Sequence, residues 1–184
     1  MSFSNIELCS KALNKIGANS ITSFEDGTVE SEICESIYLE LKHKLLCLYE
    51  WSFAIKTASL VMSNEENRYG YNYAFILPVD FLRAVKIVSG AKYKIAGSYL
   101  FCDDDKVELE YISDVEEASF SPLFVSSFIY LMAAELSISL LNDTSKYALF
   151  YRLFNSEIKN AKSIDGMQQT TKSLKNFSLI DVRK

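Results

Sequence analysis

Trp51-Ser52-Phe53-Ala54-Ile55-Lys56 carries the only tryptophan of the chain and stands where a long helical pattern gives way to alternation. Trp51, Phe53 and Ile55 alternate with Ser52, Ala54 and Lys56, the period of two that marks a half-buried strand. The position of this switch decides the fold class, because the chain before it reads as helix and much of the chain after it reads as strand.

Upstream, Ser4 and Glu7 have the spacing of a capping box, in which each side chain bonds an amide left unpaired at a helix start. Ile6, Cys9, Leu13 and Ile16 then share one helical face, and Gly17 is placed to end the helix. After a polar loop with an Asp26-Gly27 turn, Ile33, Ile37, Leu41, Leu45 and Leu48 form the apolar stripe of a second helix, expected from about Val29 to Tyr49. Its acidic residues Glu30 and Glu32 come first and Lys42 and Lys44 last, which suits the helix dipole.

Downstream, Met62 to Arg68 reads as an exposed loop, and Tyr69, Tyr71, Tyr73 and Phe75 alternate as an aromatic strand face. Leu77-Pro78-Val79-Asp80-Phe81-Leu82-Arg83 is the second distinctive motif. Its proline suits the start of a short helical turn on which Asp80 and Arg83, three apart, can pair. Short strands are expected over Ala84 to Val88, Tyr93 to Ala96, Tyr99 to Cys102 and Val107 to Ile112, with turns at Ser89-Gly90, Gly97-Ser98 and Asp103-Asp104-Asp105.

Helix returns at Ser121-Pro122, an N-cap followed by a first-turn proline. The segment Pro122 to Leu141 has the length and apolarity of a membrane span, but it contains Glu135, Ser126, Ser127, Ser137 and Ser139 and no flanking basic cluster. A helix buried in a helical core is the expected reading, with no membrane insertion. Asp143 can cap a fourth helix whose apolar side is Tyr147, Phe150, Tyr151, Phe154, Ile158 and Ala161, ending at Asp165-Gly166.

The expected fold class is therefore mainly α: an antiparallel bundle of about four helices with a small antiparallel β insert and an extended C-terminal arm. One domain is expected over residues 1–166, with helices over 4–49 and 121–165, a β-rich insert over 51–112, and the arm over 167–184.

Composition narrows function further. The chain has 184 residues, a formal charge of −5 and 49% apolar residues, enough for a real core and the wrong sign for a protein that grips phosphates. Cys9, Cys34, Cys47 and Cys102 have no zinc-site spacing and read as buried hydrophobes of a reducing compartment. Met1 to Glu7 has neither the basic start nor the apolar core of a signal peptide. The single histidine, His43, lies between Lys42 and Lys44 and reads as a solvated surface residue. Asp103-Asp104-Asp105 lacks the spacing of a calcium loop. Glu135 calls for a structural partner such as Arg83, Arg152 or a lysine, or for a place at a subunit contact. The Tyr69, Tyr71 and Tyr73 ladder has the rings of a base-stacking platform but only Arg68 as a basic neighbour, so strand packing or a protein interface is preferred. No catalytic constellation, cofactor motif or metal cluster is legible.

Taken in order, Ala12-Leu13-Asn14-Lys15-Ile16-Gly17-Ala18, the long charged helix, Trp51-Ser52-Phe53-Ala54, the Leu77 to Arg83 motif and the closing Leu179-Ile180-Asp181-Val182-Arg183 resemble the tail tubular protein A family. These are head-to-tail adaptors of short-tailed bacteriophages and prophages. The resemblance covers most of the chain and departs in Gly166 to Lys184, which lacks an expected proline-rich stretch. It implies a structural virion protein of the tail or neck, made in the host bacterial cytoplasm, with no enzymatic activity and no cofactor. It implies a homo-oligomeric, dodecameric ring between the portal protein and a tail nozzle component of the tubular protein B type. Double-stranded DNA passes through such a ring without specific binding. On this reading Leu174, Phe177, Leu179, Ile180, Val182 and Arg183 bind the portal, and Tyr69, Tyr71 and Tyr73 lie on the nozzle-facing insert. The alternatives are a connector or head-completion protein of a long-tailed phage or gene-transfer particle and, in a different class, a cytoplasmic helical module that binds a small ligand.

Overall fold

The computed structural model describes residues 3–64 and 69–168. These residues form four α-helices: α1 (Asn5–Ile16), α2 (Val29–Cys47), α3 (Pro122–Ser139) and α4 (Thr144–Gln168). Their ends follow the local chemistry. Ser4 and Glu7 complete the capping box of α1, and Gly17 closes it in the left-handed conformation, φ 82°. Ser121 caps α3 ahead of Pro122, and Asp143 Oδ1 accepts from the amides of Ser145 and Lys146 at the start of α4. α3 is the central helix, packed against α1, α2 and α4. It is apolar and long enough to cross a membrane, yet 61% of that window is buried inside the fold.

Among the described residues seven strands lie between α2 and α3: β1 (Ile55–Ser59), β2 (Val61–Ser63), β3 (Tyr73–Ile76), β4 (Phe81–Ile87), β5 (Tyr93–Ala96), β6 (Tyr99–Cys102) and β7 (Glu108–Ser113). They make two antiparallel sheets, one in the order β1-β7-β4 and one in the order β2-β3-β6-β5. The first sheet serves two cores. Ile55 pairs with Ile112, and both join the helical core with Leu82 and Val85. Ala58 pairs with Leu109, and Tyr111 with Ala84; these belong to a second core with Phe75, Leu100 and Ile87. Alternation along β7 thus sends Ile112 to one side and Leu109 and Tyr111 to the other. Register shifts in β4 after Phe81 and after Ala84 free Leu82 and Val85 from strict alternation and let both reach the helices.

The result is three stacked layers: helices, the β1-β7-β4 sheet, and the β2-β3-β6-β5 sheet. This overturns the expectation of a mainly α bundle with a small β insert. Of the described residues 49% are helical and 20% lie in strands, a mixed α/β fold. The physical reason is long-range pairing. Each strand run is short, but β1 and β4 both close on β7, and the second sheet encloses apolar residues of its own.

Several local expectations are corrected as well. The alternation at Trp51 does not begin a strand. Trp51 to Ala54 is a turn, with the amides of Ala54 and Ile55 bonded to the Trp51 carbonyl, and β1 starts at Ile55. The segment after Pro78 is not helical: Val79 and Asp80 form a turn and Phe81 begins β4, so no Asp80–Arg83 pair forms. Met62 and Ser63, expected in a loop, belong to β2, which pairs with β3. The buried face of α2 runs through Cys34, Tyr38, Leu41, Lys42 and Leu45, which leaves Leu48 exposed and Ile33 and Ile37 at the edge. α4 continues through Gly166 to Gln168. The expected C-terminal arm otherwise falls outside the described residues, as does Arg68.

Candidate functional site

Both sequence motifs turn out to be layer crossings. Trp51 carries the chain from α2 to the first sheet. Its ring is fully buried in an aromatic cluster, edge-on to Phe124 at 5.2 Å and to Tyr49 at 5.1 Å and stacked on Phe53 at 6.0 Å. Its indole N–H donates to the Leu45 carbonyl at 3.0 Å, so the one polar atom of the ring is satisfied. The next residue is latched to the far end of the chain: Asp165 on α4 accepts from the Ser52 hydroxyl at 2.6 Å and the Ser52 amide at 3.0 Å. Asp165-Gly166, which reads as a helix end in the sequence, is therefore a docking point inside α4. Gly166 is small for a reason, since a Cβ there would stand 3.0 Å from the Tyr49 hydroxyl.

The Leu77 to Arg83 motif carries the chain from the second sheet to the first. Asp80 sits at its apex and accepts from Lys56 Nζ at 2.6 Å and from the Tyr111 hydroxyl at 2.9 Å, while its carbonyl accepts from the Asp114 amide. Burial pushes the Asp80 carboxyl up, but these two donors outweigh it and hold it below the usual carboxylate range. Burial, followed by the Asp80 hydrogen bond, pushes the Tyr111 phenol up to about 12. Val79 beside it is fully exposed.

A charged cluster faces this apex from α2. Lys42, buried within the apolar face of the helix, lies 2.9 Å from Asp114 Oδ1 and 3.3 Å from Glu117 Oε1. His43 Nε2 lies 3.2 Å from Asp114 Oδ2, and the Tyr38 hydroxyl donates to Glu117 at 2.9 Å. Asp114 Oδ1 and His43 Nε2 stand at ion-pair distance from their neighbours. Burial raises Asp114; Lys42 and His43 outweigh it and lower its carboxyl. His43 is thus not the solvated surface residue its lysine neighbours suggest, because a loop far off in sequence brings it a carboxylate.

His43, Asp80 and Asp114 line an open groove of about 470 Å³ with Val79, Phe81 and Leu82. An imidazole oriented by a carboxylate is half of a general-base arrangement. The other half is a nucleophile, and the groove lining contributes no hydroxyl or thiol. Lys42 occupies the cation position between Asp114 and Glu117. Among the described residues no group of three or more His, Cys, Asp or Glu side chains is placed to hold a metal ion. The arrangement acts as a brace between α2 and the crossing after β7.

No family model and no curated protein matches this chain.

The tyrosine ladder does not form one strand face. Tyr69 has a left-handed backbone, φ 65°, and packs edge-on to Phe101 with Lys94 Nζ 3.8 Å above its ring. Tyr71 precedes β3, and Tyr73 opens it opposite Cys102. Leu174, Phe177, Leu179, Ile180, Val182 and Arg183 lie outside the described residues. Glu135 is half-buried near Tyr147 and makes no ion pair with Arg83, Arg152 or a lysine among the described residues. Arg83 stands in the row of Ile112 and Ile55 facing the helices, its Nε buried without a hydrogen-bond partner among those residues. Cys9, Cys34 and Cys102 are buried free thiols, in keeping with their reading as small hydrophobes. The hydrogen bond with Cys34, then burial, raises the Cys9 thiol.

Two surface features depend on the tertiary structure. On α4, Leu149, Leu153, Ile164 and Met167 are exposed and fall within about 60° of one another on an ideal helix, away from buried Phe150, Phe154 and Ile158. Between α1 and α3 lies a groove lined by Lys11, Asn14, Lys15, Ser126, Ile129 and Tyr130. The four-residue spacing of Lys11 and Lys15 was visible, but not the groove that α3 makes of it.

Proposed function

We propose that this chain is a structural virion protein that assembles as a head-to-tail adaptor ring between a portal and a tail component, continuing the channel for DNA. The ordered motifs that resemble the tail tubular protein A family are the starting point of this reading. The observation that carries it is the exposed apolar stripe of α4. Four large apolar side chains on one side of α4, in two pairs (Leu149 with Leu153, Ile164 with Met167) with Ser156 and Asn160 between them, form a surface that gains by being covered, as contacts between subunits are. The two motifs also serve the layered architecture rather than a reaction, which suits a structural part. In this role the protein makes no bond and turns over no substrate. Its work is geometric: it holds two neighbours in register and keeps a lumen open.

The test is mass measurement of the purified protein alone and mixed with a portal ring. A ring-sized complex of many copies on the portal is expected. Copies that stay single beside an unaltered portal would sink the reading. Leu153→Asp with Ile164→Asp should abolish the complex while leaving the circular dichroism spectrum unchanged.

A further inference from the structure

Neither Lys11 nor Lys15 has a carboxylate partner among the described residues. Glu7, one turn before Lys11, spends its carboxylate on the Ser4 amide at 2.8 Å. The two ammonium groups lie over aromatic rings instead: Lys11 4.1 Å from the Phe3 centroid and Lys15 4.7 Å from that of Tyr130. Between them the α1–α3 groove has an apolar floor at Ile129 and hydrogen-bonding groups on Asn14 and Ser126. Two cations, polar donors and an apolar floor with no anion in the lining form a receptor for carboxylates.

The complementary group is on the same chain, in a different layer. The β6–β7 turn carries Asp103, Asp104 and Asp105. Asp103 accepts from the amide and side chain of Asn72, and Asp104 accepts from the Ser89 hydroxyl. These donors are neutral, so the turn keeps its charge. Asp105 is exposed and makes no hydrogen bond or ion pair among the described residues. One module thus presents unpaired cations and another presents unpaired anions. A surface that matches a different surface of an identical molecule makes a head-to-tail contact, the kind that closes into rings.

We propose that the α1–α3 groove receives the Asp103-Asp104-Asp105 turn of a second copy of this chain. This rests on the ring reading above and names one of its contacts. Exposed charges attract over about a Debye length of 10 Å at moderate salt, so the contact steers subunits into register and weakens as salt rises.

The test reverses each partner separately, with Lys11→Glu and Lys15→Glu in one variant and Asp105→Lys in another. Self-association is measured by sedimentation at low salt, and ring formation on the portal by mass. Each variant alone should associate about tenfold to a hundredfold more weakly than the native chain, since the first sets like charges against each other and the second cuts the turn from three net negative charges to one. An equimolar mixture of the two should recover association, because the unaltered groove of the Asp105→Lys chain then meets the unaltered turn of the chain carrying Lys11→Glu and Lys15→Glu. A fold defect cannot produce that rescue. If both variants associate and load the portal as well as the native chain, or if the mixture stays as weak as its parts, this contact is overturned while the adaptor reading stands. If the native chain neither associates nor loads the portal, both fall.

Discussion

The helical layer and the outer sheet are built from the same kinds of residue but are held in different ways. In the helical layer, α3 buries large side chains on nearly every side, and its neighbours need only one apolar face each. In the outer sheet no strand is longer than four residues, and the core depends on Phe75, Leu100 and Leu109 meeting from three different strands. The lesson is that the helical layer is stabilised by contacts that periodicity forecasts, while the sheets are stabilised by contacts that exist only once β7 is in place. The middle sheet is where the two modes meet, since its strands contribute to both cores.

The largest test of that comparison is Trp51→Ala. Removing a fully buried indole costs about 3–5 kcal/mol, and it lies at the joint between the helices and the first sheet. Hydrogen exchange should show protection falling in α2, α3 and β7, and also in β3 and β6 of the outer sheet. Outer strands that kept full protection would mean that the two cores open separately and that the shared middle layer does not couple them.

Asp165→Ala is expected to cost about 1–3 kcal/mol in urea unfolding, because it leaves the Ser52 amide and hydroxyl without their acceptor. Asp103→Ala in the outer sheet removes a solvent-exposed acceptor and should cost less than about 1 kcal/mol. Equal losses would erase the distinction between a latched helical joint and an open sheet turn.

Acid should act on the brace between layers. Asp80 and Asp114 have lowered pKa values in the folded protein. Their stabilisation is therefore complete above the unfolded carboxylate value of about 3.9 and disappears as pH falls through the lower folded values. The urea midpoint should drop over that range, and Asp80→Asn with Asp114→Asn should be less stable at neutral pH but fall less steeply on acidification. An unchanged acid slope would remove these carboxylates from the account.

The smallest effect concerns Gly166→Ala. Helix propensity favours alanine by about 1 kcal/mol, while the new methyl would crowd the Tyr49 hydroxyl at 3.0 Å. The two oppose, so the midpoint should move by less than about 1 kcal/mol in either direction. A loss several times larger would show that Tyr49 cannot yield and that this end of α4 is packed more rigidly than the outer sheet.

Much of this fold is legible in the residues. The capping box at Ser4 and Glu7, the glycine stop at Gly17, the Ser121-Pro122 start and the Asp143 cap are local chemistry, and each appears where its spacing places it. The strands Tyr93–Ala96 and Tyr99–Cys102 also match their alternation, because a tight Gly97-Ser98 turn fixes their pairing. Failures begin where an element answers to a distant partner. Trp51 to Ala54 alternates like a strand but is bent into a turn by its burial against Phe124. Phe81 to Arg83 pairs with β7 as part of β4 rather than forming a helical turn. His43 acquires Asp114, seventy-one positions away in sequence. The groove of Lys11 and Lys15 exists only because α3 packs beside α1.

By itself, the sequence determined where the helices start, which segment forms the apolar centre, and that the Trp51 motif lies at a transition. Only the tertiary structure decided that both motifs are crossings between three layers, and which charges face one another across them. The reason is range. Caps, turns and periodicity act over a few residues and leave a readable spacing. Strand pairing and ion placement depend on chain segments brought together by burial, which leaves no local mark.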